Sequence, residues 1–138
     1  MEIREMTIKD YDKVYNLWEK TDIILKKSDE KQEIDRMIKR NPYTCLVGLI
    51  EGEIVSAVMG GFDGRRGYVH HLAVKPKLQG QGLGREMMEE LMSRFQDLKV
   101  IKVHLFVEEN NKEVKDFYRN IDFKERTDLT DFSKTIIK

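Results

Sequence analysis

The chain has 138 residues, the length of one ordinary domain, which leaves no room for a second. Its 25 basic and 25 acidic residues give a formal net charge of zero, so no global field attracts nucleic acid or an anionic membrane. The single cysteine, Cys45, cannot form an internal disulfide, and no second cysteine or nearby histidine suggests a metal site. We therefore expect no metal, no nucleic acid and no membrane partner.

The apolar stretches of the chain are short, about ten residues or fewer, so none reaches the length of a transmembrane helix. The N-terminal residues MEIREMTIKDYDK show neither the apolar core of a signal peptide nor the arginine-rich pattern of a transit peptide. We expect a cytoplasmic protein that folds as one domain over residues 1–138.

The first third of the chain is predicted to form a strand and two helices. The alternation in EIREM indicates a short strand, and Thr7 with Asp10 three residues later is a helix-capping pattern. A second helix is predicted from about 28 to 39. The segment TDIILKK between the helices has no clear period, so no element is assigned to it.

The middle of the chain is predicted to form three antiparallel strands, a helix and a fourth strand. TCLVGLI and EIVSAVMGG flank the turn EG as a hairpin, and FDGRRG leads into the strand GYVHHLAV. A helix from about 82 to 95 follows, and its methionines at helical spacing indicate core packing. The strand KVIKVHLFV, residues 99–107, lies beyond a crossover helix and is therefore predicted to be parallel to the strand at 67–74.

The last third is predicted to contain a helix from about 110 to 120 and two short strands near 123–126 and 132–137. The complete order is then β-α-α-β-β-β-α-β-α-β-β. This order predicts a mixed sheet and an α+β fold.

A glycine-rich turn stands between the third long strand and its helix. VKPKLQGQGLGREMMEELM, residues 74–92, places Gly80, Gly82 and Gly84 where unpaired backbone N–H groups meet the positive end of a helix dipole, which suits a phosphate. A P-loop would need Lys and then Ser or Thr after the last glycine, but Arg85 and Glu86 follow it. A dinucleotide fingerprint needs GxGxxG in the first strand-helix unit, whereas GQGLG follows three antiparallel strands.

Two motifs instead resemble the GNAT superfamily of acyl-CoA-dependent N-acetyltransferases, in particular its small prokaryotic single-domain members. Gln79, Gly82 and Gly84 match the Q/R-x-x-G-x-G/A pyrophosphate loop, and Val74 and Pro76 match the hydrophobic-x-Pro sequence that leads into it. The second motif is an Asn followed seven residues later by a Tyr and then by a Gly-Phe pair; it is matched by Asn111, Val114, Phe117, Tyr118 and Phe123.

One residue departs from the second motif. Asp122 stands where the family usually has the glycine of the Gly-Phe pair. That position asks for a left-handed backbone after a helix end, which Asp tolerates less well than Gly, so we expect a small stability cost and an unchanged fold.

The resemblance implies helices on both faces of the sheet and a V-shaped splay between the strands at about 67–74 and 99–107. The pantetheine arm of acetyl-CoA would lie in this splay, and backbone near Leu72 to Val74 would hold it and supply an N–H group to the oxyanion. The residues expected to bind the co-substrate are Leu72, Ala73, Val74, Gln79, Gly80, Gln81, Gly82, Leu83, Gly84, Arg85, Asn111 and Tyr118.

Two residues are candidates for the chemistry. Tyr118 matches the motif tyrosine that would protonate the leaving thiolate, although an aromatic at this spacing also fits a packed helix face. His70 matches the position where many relatives carry a glutamate, and it could act as the base directly or through water. Strand alternation predicts that His71 points to the opposite face, so that only one of the pair faces the acceptor, and His104 is expected to be structural or exposed.

The function implied by the resemblance is the transfer of an acetyl group from acetyl-CoA to a primary amine, by direct attack in a ternary complex without a metal. The acceptor would lie over residues 21–27 and the final strand pair. Three alternatives stay open: a non-catalytic acyl-CoA-binding sensor, an acetyltransferase for protein N-termini or lysines, and a nucleotide-binding module that uses the same turn. Homodimers are common in the family, but no interface signature is present.

Overall fold

The computed structural model describes residues 1–138, which form two compact units, Met1–Phe106 and Val107–Lys138. The single domain predicted over residues 1–138 stays a prediction. The first unit contains one sheet whose strands follow chain order: β1 (Glu2–Glu5), β2 (Cys45–Ile50), β3 (Glu53–Phe62), β4 (Gly67–Val74) and β5 (Val103–His104). Neighbouring strands from β1 to β4 are antiparallel, and β5 is parallel to β4.

Three helices belong to the first unit: α1 (Tyr11–Glu19), α2 (Lys31–Arg40) and α3 (Leu83–Asp97). Short 3₁₀ turns precede α1 at Ile8–Asp10, α2 at Lys27–Asp29 and the glycine turn at Pro76–Leu78. The second unit contains α4 (Lys112–Arg119). None of these helices combines the length and the apolar composition needed to span a membrane.

The helices of the first unit cover both faces of its sheet. A Cβ placed on Gly60 would lie 2.6 Å from Leu91 of α3, whereas one placed on Gly61 would lie 3.2 Å from Met37 of α2. Because adjacent strand residues point to opposite faces, α3 lies on one face and α2 on the other. On the α2 side, α1 and α2 pack on the inner faces of β2, β3 and β4 in one apolar cluster that includes the fully buried Trp18. The predicted α+β class with helices on both faces is confirmed.

The start of α1 is fixed by the capping pattern that the sequence contains. The backbone N–H of Thr7 donates to Oδ2 of Asp10 at 2.9 Å. Arg4 binds the same carboxylate through two hydrogen bonds of 2.8 and 2.9 Å, and Asp10 is buried. The carboxylate therefore connects β1 to the first turn before α1.

The structure differs from the prediction in the strands after α3. The strand expected at 99–107 is reduced to two residues, and residues 120–138 contain no strand, so the pair predicted near 123–126 and 132–137 is wrong. A strand needs a hydrogen-bonded neighbour as well as β propensity, and this segment pairs with none. The large apolar side chains after residue 125 are accordingly exposed, with Phe132 at 92%.

The helix of the second unit has well-defined ends. Oδ1 of Asn111 accepts a hydrogen bond of 3.2 Å from the N–H of Val114, which caps the start of α4. At the other end, the N–H of Phe123 donates to the carbonyl of Tyr118 at 3.0 Å and the N–H of Asp122 to that of Arg119 at 3.2 Å. This is a Schellman motif, and Asp122 occupies its left-handed position with a φ of 72°.

Replacing Asp122 with Gly is therefore expected to stabilise the protein by about 0.5–1 kcal/mol, because a left-handed backbone costs a non-glycine residue about 1–2 kcal/mol and glycine recovers part of that. The melting temperature should rise by about 2–4 °C in thermal unfolding followed by circular dichroism. Asp131→Gly is the control, since Asp131 is exposed and has no positive φ. An unchanged or lower melting temperature for Asp122→Gly would contradict the account.

Candidate active site

The glycine turn has the backbone conformation that an anion site requires. Gly80 and Gly82 adopt left-handed φ values of 80° and 86°, and a Cβ at either position would meet no atom within 4 Å. Gly82 is the N-cap of α3, and its carbonyl accepts the N–H of Glu86 at 3.0 Å. The N–H groups of the first residues of α3 have no acceptor within the helix, so they remain available to a phosphate.

The polar side chains of the turn make contacts within the protein. Nε2 of Gln79 donates to the carbonyl of Val74 at 3.0 Å, which ties the turn to the end of β4. Arg85 binds Glu89 one helical turn later at 3.0 Å, and Lys75 binds Glu53 at 2.7 Å, all at or near the surface. These contacts orient the side chains around the turn, and the backbone of the turn supplies N–H donors of its own.

The edge of β4 is largely unpaired beyond its first residues. The parallel ladder to β5 consists of two residue pairs, Gly67 with Val103 and Tyr68 with His104. Residues 69–74 of β4 have no strand partner on that side. Because β5 ends at His104, the edge of β4 is open in the direction of the glycine turn, where the predicted splay would lie.

A β-bulge interrupts β4 in this unpaired part. Ala57 of β3 pairs with Ala73 and Met59 pairs with His70, so the single residue between them on β3 faces two residues, His71 and Leu72, on β4. His71 has a left-handed φ of 53°. In a bulge the extra residue takes no part in the ladder, and the strand bends there.

The bulge places His70 and His71 on the same face of the sheet, so the prediction of opposite faces is wrong. His70 lies opposite Met59 in the register, and Met59 belongs to the cluster under α1 and α2. The ring of His71 packs edge-on against Trp18 of α1, with centroids 5.0 Å apart. Strand alternation fails here because the extra residue changes the side to which the next side chain points.

His70 is exposed and its ring favours the neutral form. Surrounding protein atoms desolvate the ring, and the neighbouring His71 acts in the same direction, so the pKa of His70 is lowered from its ordinary value, against a smaller opposing effect of Asp29. A lowered pKa keeps this imidazole uncharged, and able to accept a proton, at neutral pH.

Asp29 is a site residue that the sequence did not indicate. It lies in the segment between α1 and α2, and its Oδ1 is 2.7 Å from Nε2 of His71. The pattern Lys26-x-x-Asp29 signals a capped turn, but nothing local signals a partner 42 residues away. The nearby indole Nε1 of Trp18 is buried without a hydrogen-bond partner, which is unfavourable for stability.

The third histidine contacts neighbours on the same part of the sheet. The ring of His104 lies 5.7 Å from that of Tyr68, and its Nε2 is 3.1 Å from Nη1 of Arg66. This arrangement fits the structural role expected for His104. No group of three or more His, Cys, Asp or Glu side chains is arranged to hold a metal ion.

Tyr118 and Asn111 belong to the second unit. The ring of Tyr118 packs edge-on against Phe117 and Phe123, at 5.0 and 5.6 Å between centroids. Burial raises the pKa of Tyr118 to about 12, so its phenol is protonated at neutral pH. The side-chain oxygen of Asn111 caps α4, and its contact with a co-substrate stays a prediction.

Comparison with known proteins agrees with this geometry. The profile of the acetyltransferase (GNAT) family matches residues 11–123. An acetyltransferase of Pectobacterium atrosepticum is 33% identical over 138 residues, covering 100% of this chain and 97% of that protein.

Two solved structures show the same fold at low sequence identity. Ard1 from Thermoplasma volcanium superposes with a TM-score of 0.81 at 22% identity, over 89% of this chain and 82% of that one. The PaiA N-acetyltransferase from Thermoplasma acidophilum, solved in complex with coenzyme A, superposes with a TM-score of 0.78 at 16% identity, over 89% of each chain. With the family profile matched over most of its length, the chain belongs to the GNAT family of acetyltransferases.

Proposed function

We propose that the protein transfers the acetyl group of acetyl-CoA to a primary amine in a ternary complex. The observation that carries this proposal is the Gly80–Gly82 turn with its free helix N–H groups. It follows, after one 3₁₀ turn, a strand whose edge is unpaired from residue 69 to residue 74. Such an edge offers backbone groups to an extended amide chain, and the turn offers donors to a pyrophosphate. Acetyl-CoA carries both features, and the homologous fold of PaiA was solved with coenzyme A.

The bulge in β4 is suited to the thioester end of the co-substrate. Backbone donors that already point at the developing oxyanion stabilise a tetrahedral intermediate more than donors that must reorganise. The extra residue of a bulge leaves the ladder, so the N–H groups around Leu72 are the candidates for this role. One N–H would bind the oxyanion, and the backbone up to Val74 would hold the pantetheine arm.

His70 is proposed as the general base. An aliphatic amine is mostly protonated at pH 7, so the reactive neutral form must be generated in the site. The neutral imidazole of His70 accepts a proton from the ammonium form, directly or through water, and the neutral amine nitrogen then attacks the carbonyl carbon. The new C–N bond forms and the C–S bond breaks, which yields the acetamide and the CoA thiolate.

Tyr118 is proposed to donate to the leaving sulfur. Its phenol is protonated throughout the physiological range, because burial raises its pKa to about 12. Full proton transfer from this phenol to the thiolate is unfavourable, because the pKa of a thiol is only about 8.5. The useful contribution of Tyr118 is therefore a hydrogen bond to the sulfur as its negative charge develops. The CoA thiolate then takes up, through solvent, the second proton that the amine nitrogen loses, and His70 releases the first proton to solvent.

Direct transfer is favoured over an acyl-enzyme because the chain has one thiol and it is unsuited to attack. Cys45 is fully buried, and burial raises its pKa to about 12. A nucleophilic cysteine needs a lowered pKa and access to the substrate. The thiol therefore stays protonated within the core.

The proposal is tested by thermal shift and isothermal titration calorimetry with acetyl-CoA, CoA, ATP and NAD. A ligand that binds the folded state raises its apparent stability, by about 2.7 kcal/mol at 100 times the dissociation constant. Selective stabilisation by acetyl-CoA and CoA, followed by release of CoA thiol with a member of an amine and peptide panel, is the expected result. Binding without turnover would indicate a sensor, and preference for ATP or NAD would contradict the proposal.

A further inference from the structure

A partly buried contact joins the segment between α1 and α2 to the bulge in β4. Nε2 of His71 lies 2.7 Å from Oδ1 of Asp29, whose side chain is only 7% exposed. Desolvation acts to raise the pKa of Asp29, but hydrogen bonds from His71 and from the N–H of Lys26 outweigh it, and the pKa is lowered. An ionised carboxylate only accepts hydrogen bonds, so Nε2 of His71 carries a proton and donates it.

Both members of the pair are held by further contacts. Oδ2 of Asp29 accepts the N–H of Lys26 at 3.0 Å, and its backbone carbonyl accepts the hydroxyl of Tyr11 at 2.7 Å. The ring of His71 packs edge-on against the fully buried Trp18. The orientation of the His71 ring is therefore fixed both by its hydrogen bond and by its packing.

The pair holds a backbone conformation that is unfavourable by itself. A left-handed φ costs a residue such as His71 about 1–2 kcal/mol. Strain of this kind persists only where the surroundings impose it, and it concentrates at functional sites. Here the surroundings are Asp29 and Trp18, and the strained residue is the neighbour of the proposed base.

We propose that Asp29 and His71 are positioning residues, which hold the β4 bulge so that the His70 imidazole faces the amine and the N–H of Leu72 faces the thioester. This inference rests on the proposed function and adds a role for two residues outside it. Neither residue touches a reacting atom. Their effect is on the geometry and the electrostatic surroundings of His70.

The charged and polar groups around His70 give the inference a specific signature. On its own strand His71 lowers the pKa of His70, and Asp29 from the segment before α2 raises it. From α1, Tyr11 reaches this cluster through its bond to Asp29, and α2 presents the apolar Met37. Removing the carboxylate and removing the second imidazole should therefore shift the titration of His70 in opposite directions.

The experiment compares Asp29→Asn and His71→Gly in the full chain. Glycine readily adopts the left-handed backbone of position 71, so His71→Gly is expected to fold with the bulge in place. This variant therefore tests the inference even if Asp29→Asn folds poorly. Each variant is expected to lower kcat by about 10- to 100-fold while the Kd for acetyl-CoA changes less than about twofold, since a misplaced catalytic group costs rate rather than remote binding. In NMR titrations, the pH at which the His70 ring is half protonated, its midpoint, should fall in Asp29→Asn and rise in His71→Gly.

Asp10→Asn is the matched control. Asp10 is also a buried carboxylate that accepts the N–H of the residue three positions earlier. Its side-chain partner, however, is Arg4 of β1, which is separated from β4 by β2 and β3. This variant should lose stability while kcat and the His70 midpoint stay unchanged. An unchanged kcat and midpoint in both site variants, or an equal loss of kcat in Asp10→Asn, would overturn the inference.

The inference and the proposed function fail in different ways. If the wild-type protein shows no acetyl-CoA-dependent turnover, the proposed function is wrong. The NMR titration midpoints of His70 then test the positioning inference by themselves. Opposite shifts then support the positioning of His70 by the pair, and unmoved midpoints overturn it.

Discussion

Replacing His70 with Gln is expected to lower kcat by about 100-fold, since a positioned general base contributes roughly 10²–10⁴ to rate. Glutamine keeps the size and polarity of the side chain but cannot accept the proton of the attacking amine. The measurement is kcat at saturating acetyl-CoA and acceptor amine. The Kd for acetyl-CoA should be unchanged, because His70 is assigned to the proton and not to the pantetheine or the phosphates.

The pH dependence of kcat provides the independent check on His70. The base works in its neutral form, so kcat falls as pH falls through the pKa of His70, which is lowered from 6.5. The acid limb should therefore lie below pH 6.5 in the wild type and be absent in His70→Gln. Tyr118, with a pKa of about 12, should produce no alkaline limb up to about pH 10.

His104→Gln is the control for this experiment, because it removes the histidine of β5 without touching the assigned base or its neighbour His71. Its kcat and its acid limb should match those of the wild type. If the acid limb of kcat persists in His70→Gln, another group titrates there and His70 is not the base. An equal loss of kcat in His104→Gln would likewise remove His70 from the mechanism.

The parts of the site that the sequence predicts are those fixed by local chemistry. Apolar residues at helical spacing placed α3, and Met87, Leu91 and Phe95 are indeed buried on one of its faces. Gly80 and Gly82 have the positive φ values that a turn into a helix demands. Asp122 also takes the left-handed conformation that its position after α4 requires. Each of these features depends on residues within a few positions of one another.

The parts that the sequence does not predict depend on residues far apart in the chain. GYVHHLAV contains no glycine or proline inside the strand that would indicate an irregularity, yet its register with β3 contains a bulge at His71 and Leu72. The contact of Asp29 with His71 joins residues 42 positions apart, and each has an ordinary local explanation as a turn residue or a strand residue. The prediction of the final two strands is wrong for the same reason, because β propensity is local and does not specify a partner strand.

Replacing Gly80 and Gly82 together with Ala is expected to weaken binding of acetyl-CoA and of CoA by about 100-fold. Both residues have left-handed φ values, and each alanine costs about 1–2 kcal/mol there. The turn relieves this strain by rotating its peptide units, which turns the N–H groups away from the pyrophosphate. The affinity is measured by isothermal titration calorimetry, and the loss should be equal for the two ligands because both carry the pyrophosphate.

Gly52→Ala with Gly64→Ala is the matched control, because it separates backbone strain from phosphate binding. Gly52 and Gly64 also have positive φ values, of 78° and 98°, and a Cβ at either would meet no atom within 4 Å. They lie in the hairpin turns at the two ends of β3, so their replacement adds a similar strain outside the glycine turn before α3. Both double variants should lose similar stability in thermal unfolding, but only the first should lose affinity. Equal affinities in the two variants would mean that the turn holds no phosphate, whatever its resemblance to the family loop.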